Sequence, residues 1–308
     1  MKKTYEEFCS YVEENILSLM SDDVKRSAHV EDICKNNGVK LKGLIVTTDT
    51  SNISFTLYLE YFYEEYAIGH ASLDEVLAEI ANTYSDKEIQ GYASFDINSL
   101  QEANIIGCLV GTNNNMEYLR DIPYVPCGSD FAIIFKYYFE RTNNGMIATI
   151  TITDSLSERL GYDIDKLKQL AMENTPRLLP LKFESVPNLL SGLEGFSDEL
   201  YEQANIPMYV ISNERNSYGA IALLYPGVRE MLFDMFESDL VLIPSSIHEW
   251  LVIPQLEGIE LKEIDEMIYS VNQTQLIAEE VLGERAYVLK RGTSDIFESL
   301  AIDYAYSE

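Results

Sequence analysis

Apolar residues at Tyr5, Phe8, Cys9, Val12, Ile16 and Leu19 recur at three- and four-residue intervals, which predicts an opening helix that ends near Ser21 and turns one stripe toward a core or a subunit contact. Val39 to Thr48 and Ile53 to Leu59 are β-rich runs separated by the polar tract Asp49 to Asn52, the pattern of a hairpin or meander. Ser72, with Glu75 three residues on, has capping-box spacing and predicts a helix from Leu73 to about Tyr84. Between these lies a segment crowded with Tyr58, Tyr61, Phe62, Tyr63 and Tyr66 among Glu60, Glu64 and Glu65, ending at His70. Core packing with hydroxyls at the rim accounts for it, with an aromatic and acidic surface for a cationic ligand as the alternative.

Strands are predicted at Asn104 to Val110, Phe131 to Glu140 and, after the turn Asn143 to Gly145, at Met146 to Ile152. A short helix, Asn115 to Arg120, and a connection through Pro123 and Pro126 separate the first two. Thr153 or Asp154 caps a following helix, and Asp165 to Asn174 forms another that stops before Pro176. Beyond a loop-prone stretch from Pro180 to about Asn205, strands at Met208 to Ile211 and Ala220 to Leu224, a helix Gly227 to Phe236, strands at Leu240 to Ile243 and Trp250 to Ile253, and a helix Leu261 to Asn272 make a ββαββα unit. The fold class is α+β, mostly antiparallel sheets covered by helices. A boundary near residues 195–206 divides an N-terminal α+β region, 1–200, from the C-terminal ββαββα region, 201–308, unless the two form one compact domain.

The chain has 308 residues with 51 acidic and 22 basic side chains, a formal charge of −29. That charge repels nucleic-acid backbones and anionic membranes and favours cationic partners. An acidic mimic of DNA is a further alternative, but the carboxylates are spread over every segment beside ordinary core patterns. Glu6, Glu7, Glu13 and Glu14 interrupt any apolar core of a secretory signal, and no run approaches membrane-spanning length. Cys9, Cys34, Cys108 and Cys127 are far apart, without a CxxC pair, so the expectation is reduced thiols in a cytoplasm.

Five segments occur in order: ENTPRLLP (Glu173 to Pro180), PMYVISN (Pro207 to Asn213), GAIALLYPGVRE (Gly219 to Glu230), IPSSIHEWLVIP (Ile243 to Pro254) and VNQTQLIAEEVLGERAYVL (Val271 to Leu289). Together they resemble an uncharacterised domain-of-unknown-function family of bacterial proteins of the gut Firmicutes type. The resemblance implies a bacterial cytosolic protein and transfers no catalytic residue.

The candidate chemistry centres on Ser245, Ser246, His248 and Glu249, a polar cluster between two apolar β-prone runs. A hydrolase acting on a small molecule or peptide would use His248 as general base, Ser245 or Ser246 as nucleophile and Glu249 to orient the imidazole. In a strand, however, His248 and Glu249 face opposite sides, so a tight turn with serine-to-backbone hydrogen bonds is the simpler reading. His29, His70 and His248 are isolated from one another and give no metal-ligand spacing, even with Glu31 and Asp32 close to His29. Asp22 and Asp23 read as a solvated turn. Gly107, Gly111 and Asn113 to Asn115 match neither GxGxxG nor a P-loop, and asparagine capping explains them. Pro226 reads as a helix start, with Arg229 within reach of an anionic group. The expected function is that of a non-enzymatic cytoplasmic interaction or regulatory protein with an unknown protein partner, no cofactor and no metal.

Overall fold

The computed structural model describes residues 2–21, 23–49, 56–89, 100–139, 148–186, 207–256, 258 and 260–292. The chain forms two compact units, one of residues 1–35 and 39–100, the other of residues 36–38 and 101–308. The turn at Asn143 to Gly145, Asp22, and the boundary placed near residue 200 lie outside the described residues.

In the first unit, helix α1 (Tyr5–Asn15) starts at a capping box in which Thr4 and Glu7 satisfy each other's backbone N–H groups. Its stripe buries Phe8, Cys9 and Val12, and Ile16 follows in a 3₁₀ turn. Leu19 is half exposed instead, because that turn tightens the spacing and rotates it off the stripe. Strands β1 (Arg26–Cys34), β2 (Lys40–Thr48) and β3 (Thr56–Tyr58) form an antiparallel sheet in that order. The expectation did not include β1, which lies at the sheet's edge; its His29, Glu31 and Asp32 point to solvent while Ala28 and Val30 pack on the core. On its outer side, Val30 N–H is taken by Glu13 Oε2 at 3.0 Å.

The tyrosine-rich segment folds as α2 (Glu60–Ile68), with Tyr5, Phe8, Tyr63 and Tyr66 in mutual ring contact and Phe62 buried. Helix α3 (Leu73–Ile89) has the Ser72–Glu75 box and runs on beyond Tyr84. Tyr84 is buried, and its hydroxyl accepts the Val46 N–H at 2.8 Å, fixing α3 to β2.

The second unit contains two antiparallel sheets among its described residues. In one, β6 (Phe131–Phe139) pairs along one side with β4 (Ile105–Gly111), while β5 (Tyr124–Cys127) and β7 (Ala148–Thr151) pair with successive stretches of its other side. The other sheet runs β12-β10-β11-β9-β8, from β8 (Leu181–Ser185), β9 (Tyr209–Asn213), β10 (Leu240–Ser246), β11 (Glu249–Pro254) and β12 (Tyr287–Leu289). Helices α4 (Asp154–Leu160), α5 (Ile164–Leu178), α6 (Val228–Phe236) and α7 (Leu261–Thr274) complete it. Ile268 of α7, with Leu261 and Ile264, packs against Val241, Ile243 and Ile253. Phe131 of the first sheet meets Trp250 and Tyr287 of the second, with ring centres 5.5 and 5.1 Å away. The protein is an α+β fold of antiparallel sheets and helices.

Three local expectations are corrected. Ala220 to Leu224 is not a strand but part of a 3₁₀ helix, Gly219–Leu224, buried on every side. A short, wholly apolar run has no periodicity to separate strand from helix, and here Trp250 Nε1–H takes the Ala220 carbonyl at 2.9 Å in place of a strand ladder. Helix α5 passes through Pro176 because tertiary bonds secure its last turns: Asn174 Nδ2 donates to the Ile105 carbonyl at 3.2 Å and Thr175 Oγ1 accepts the Gly107 N–H at 2.9 Å. The Pro123–Pro126 connection contains strand β5, tolerated because β5 is an edge strand whose one strand partner among the described residues is β6.

Candidate functional site

The β10–β11 hairpin turns through Ile247 and His248, with a register irregularity between Pro244 and Ser246. Ser246 Oγ accepts the His248 N–H at 3.1 Å, and Ser245 Oγ donates to Glu249 Oε1 at 3.1 Å. His248 is held through its backbone and Nδ1. Its carbonyl accepts the Ser212 hydroxyl at 2.8 Å, its Nδ1 accepts the Tyr218 N–H at 2.9 Å, and its Nε2 lies 3.3 Å from Glu280 Oε1. With Nδ1 accepting, the neutral ring carries its proton on Nε2, facing the carboxylate.

Tyr218 has φ 52°, a left-handed conformation that costs a non-glycine residue about 1–2 kcal/mol, and the Nδ1 bond helps to hold it there. The next residue must be glycine: a Cβ on Gly219 would lie 2.4 Å from the His248 carbonyl oxygen. The structure thus brings Ser245 to Glu249, and Ser246 to the His248 backbone, but neither serine hydroxyl hydrogen-bonds the imidazole among the described residues. The carboxylate beside the ring is Glu280, not Glu249.

Glu280 belongs to an irregular strap, residues 278–287, that reaches β12. Polar side chains fasten it along its length. The Ile247 N–H donates to the Glu280 carbonyl at 2.8 Å. Asn36 Nδ2 donates to the Glu279 carbonyl at 2.7 Å, and Asn37 Nδ2 to the Ala278 and Val281 carbonyls at 2.8 and 2.7 Å. Asn272 Nδ2 holds the Gly283 carbonyl at 2.9 Å, and Asp265 Oδ1 accepts the Ala286 N–H at 2.7 Å. Asn115, fully buried, organises the other end: its Oδ1 accepts the Asn37 N–H at 2.6 Å while its Nδ2 donates to Asn36 Oδ1 and to the Gly111 carbonyl at 2.8 and 2.7 Å. So Asn115 serves as a tertiary junction, whereas the sequence reading gave this asparagine run to helix capping.

Asp130 gathers four hydrogen bonds on its carboxylate. Its Oδ2 receives Arg285 Nη2 at 2.7 Å, Arg285 Nε at 3.0 Å and the Tyr287 hydroxyl at 2.7 Å, while Ser129 Oγ donates to Oδ1 at 2.8 Å. Partial burial works to raise its pKa, but the bonds from Tyr287, Ser129 and Arg285, with the Arg285 charge, outweigh it and hold the carboxyl below its ordinary range. Burial, then the bond to Asp130, pushes the Tyr287 phenol well above its ordinary range.

Around this pair opens a cleft of about 440 Å³ lined by Asn37, Asn113, Asn114, Asp265, Glu284 and neighbouring strap residues. Gly111 admits the strap, since a Cβ there would lie 2.7 Å from the Leu282 carbonyl oxygen. Of the residues around this cleft, sequence reasoning singled out Gly111, Asn113 and Asn114, and it missed Asp130, Asp265, Glu284 and Arg285. Asp130 lies more than a hundred positions before the other three, and only the ERAY tetrapeptide inside the resembling segment hinted at them.

A model of DUF5688, a family of unknown function, matches residues 5–291. The chain belongs to that family. The DUF5688 match therefore spans the hairpin, the strap and the cleft together, so all three lie within the family domain. No curated protein and no solved structure matches the chain significantly.

The remaining candidates are placed as follows. His29 is exposed on β1, and His70 Nδ1 lies 3.2 Å from Glu65 Oε2 in the first unit. Arg229 lies over the Phe233 ring, 5.4 Å from its centre. No disulfide joins the cysteines, and burial pushes the Cys108 thiol up to about 12, which leaves it protonated and unreactive. Among the described residues no three His, Cys, Asp or Glu side chains are grouped to hold a metal ion, and no helix is long and apolar enough to cross a membrane.

Proposed function

We propose that the protein is a non-catalytic interaction or regulatory protein of a bacterial cytoplasm, recognising a partner that carries positive charge. The observation that carries this reading is the structural employment of the reactive groups: His248 Nδ1 and both serine hydroxyls are hydrogen-bonded to backbone or neighbouring side chains, and His248 Nε2 lies 3.3 Å from Glu280 Oε1. A general base needs a lone pair aimed at the proton it removes, and the Nδ1 lone pair of His248 is occupied by a backbone N–H. The formal charge of −29 favours a cationic partner through its long-range field.

A hydrolase centred on His248 is the second reading, favoured by one contact: Glu280 beside Nε2 resembles the carboxylate that orients a catalytic imidazole. The two readings separate in the native cell. If the protein is a binder, His248→Gln, which keeps an acceptor and a donor, rescues a deletion strain and captures the same partner, identified by mass spectrometry. A folded His248→Gln protein that fails to rescue, matched by Ser245→Ala or Ser246→Ala, establishes the hydrolase instead.

A further inference from the structure

The cleft of the second unit has the volume of a small-molecule site, yet its lining is polar rather than apolar. Its charges do not cancel. Arg285 is matched by Asp130, at 2.7 and 3.0 Å, so that pair contributes no net charge. Two more carboxylates, Asp265 and Glu284, line the same cleft. Their hydrogen-bond partners are neutral: the Ala286 N–H for Asp265 at 2.7 Å, and the Asn114 carboxamide for Glu284 at 3.4 Å. Neither has a cationic partner among the described residues.

We propose that this cleft binds a small organic dication of the aliphatic diamine class, with Asp265 and Glu284 as its two anionic anchors and Asn113 and Asn114 as polar contacts. Two uncompensated carboxylates in a partly enclosed space favour a ligand that brings two positive charges, and ammonium groups also donate to carboxamide oxygens. An anionic ligand would meet those carboxylates while competing with Asp130 for Arg285. A metal ion would lack a set of three ligating side chains, given the absence of such a group among the described residues. The inference rests on the non-catalytic reading of the protein.

The test is calorimetric titration of the full chain with putrescine at physiological ionic strength, beside 1,4-butanediol as the neutral isostere, succinate as the anion and magnesium as a simple dication. Glu284→Gln changes an exposed side chain, Asp265→Asn retains an oxygen for the Ala286 N–H, and Glu158→Gln removes an exposed charge outside the cleft. Melting curves establish that each variant is folded; Glu284→Lys, at the same exposed position, is the second variant should Asp265→Asn not be. Saturable one-site binding of putrescine, weakened roughly tenfold or more by either cleft substitution and unchanged in Glu158→Gln, supports the proposal. Absence of saturable binding, equal weakening in Glu158→Gln, or affinity for butanediol, succinate or magnesium at least equal to that for putrescine overturns it. NMR of the diamine after long incubation separates the site from the non-catalytic reading. Saturable binding with putrescine unchanged upholds site and binder alike; saturable binding with putrescine consumed upholds the site and overturns the non-catalytic reading; a protein that never binds it overturns only the site.

Discussion

At the scale of single residues, Asp130 and Asn115 do the most with the fewest atoms. Asp130 carries a lowered pKa, so it binds its proton less readily folded than unfolded. Its stabilising contribution is therefore complete above the ordinary carboxylate value of about 3.9 and is lost as the pH falls from there through the lowered native value. Urea unfolding of the native chain and of Asp130→Asn should differ most near neutrality, with the gap closing on acidification; a gap that is constant with pH would contradict the assignment. Asn115→Ala removes the acceptor of the Asn37 N–H and the donor to the Gly111 carbonyl inside a buried site. Leaving such groups unpaired costs about 1–3 kcal/mol, so its unfolding midpoint should drop accordingly without a change in denaturant slope.

At the scale of elements, the sharpest prediction concerns Gly219. Its missing side chain is where the Ser212 hydroxyl and the His248 carbonyl approach, and the nearer backbone atoms have no freedom to retreat. Gly219→Ala should cost about 3 kcal/mol, read as a lowered melting temperature and as faster amide exchange in β9 and the β10–β11 hairpin. Elements of this kind also mark how far the sequence is legible. Helix α1, the α3 capping box, β4, β6 and the β10–β11 pair are written in local periodicity and turn chemistry, and they appear where the pattern places them. Strand β1 is less legible because an edge strand with one solvated face carries only Ala28 and Val30 as inward markers. Ala220 to Leu224 is legible as core but not as helix or strand. The cleft was almost invisible, since Asp130, Asp265 and Arg285 meet through tertiary structure and no local rule relates them. The His248 segment was conspicuous as a sequence, whereas its carboxylate neighbour, Glu280, lies 32 positions away in the chain.

At the scale of the whole molecule, charge dominates. A net −29 makes phosphate contacts unfavourable, so the purified protein should show no salt-sensitive retention of duplex or single-stranded nucleic acid in mobility-shift assays. Tight binding of a nucleic-acid-binding protein, competed away by added DNA, would instead place the function in mimicry of the polyanion. The same abundance of carboxylates has a protective side at β1. An outer strand with open amides is a template on which a second chain can grow, and many copies can continue the ladder into a fibre. Glu13 occupies the Val30 amide, and Glu31 stands exposed on the strand, while Asp32 is paired with Lys42 at 2.7 Å. A neighbour bringing its own Glu31 to that margin would meet like charge before the ladder could close, so the sheet's own border disfavours the edge-to-edge growth that polymerisation requires.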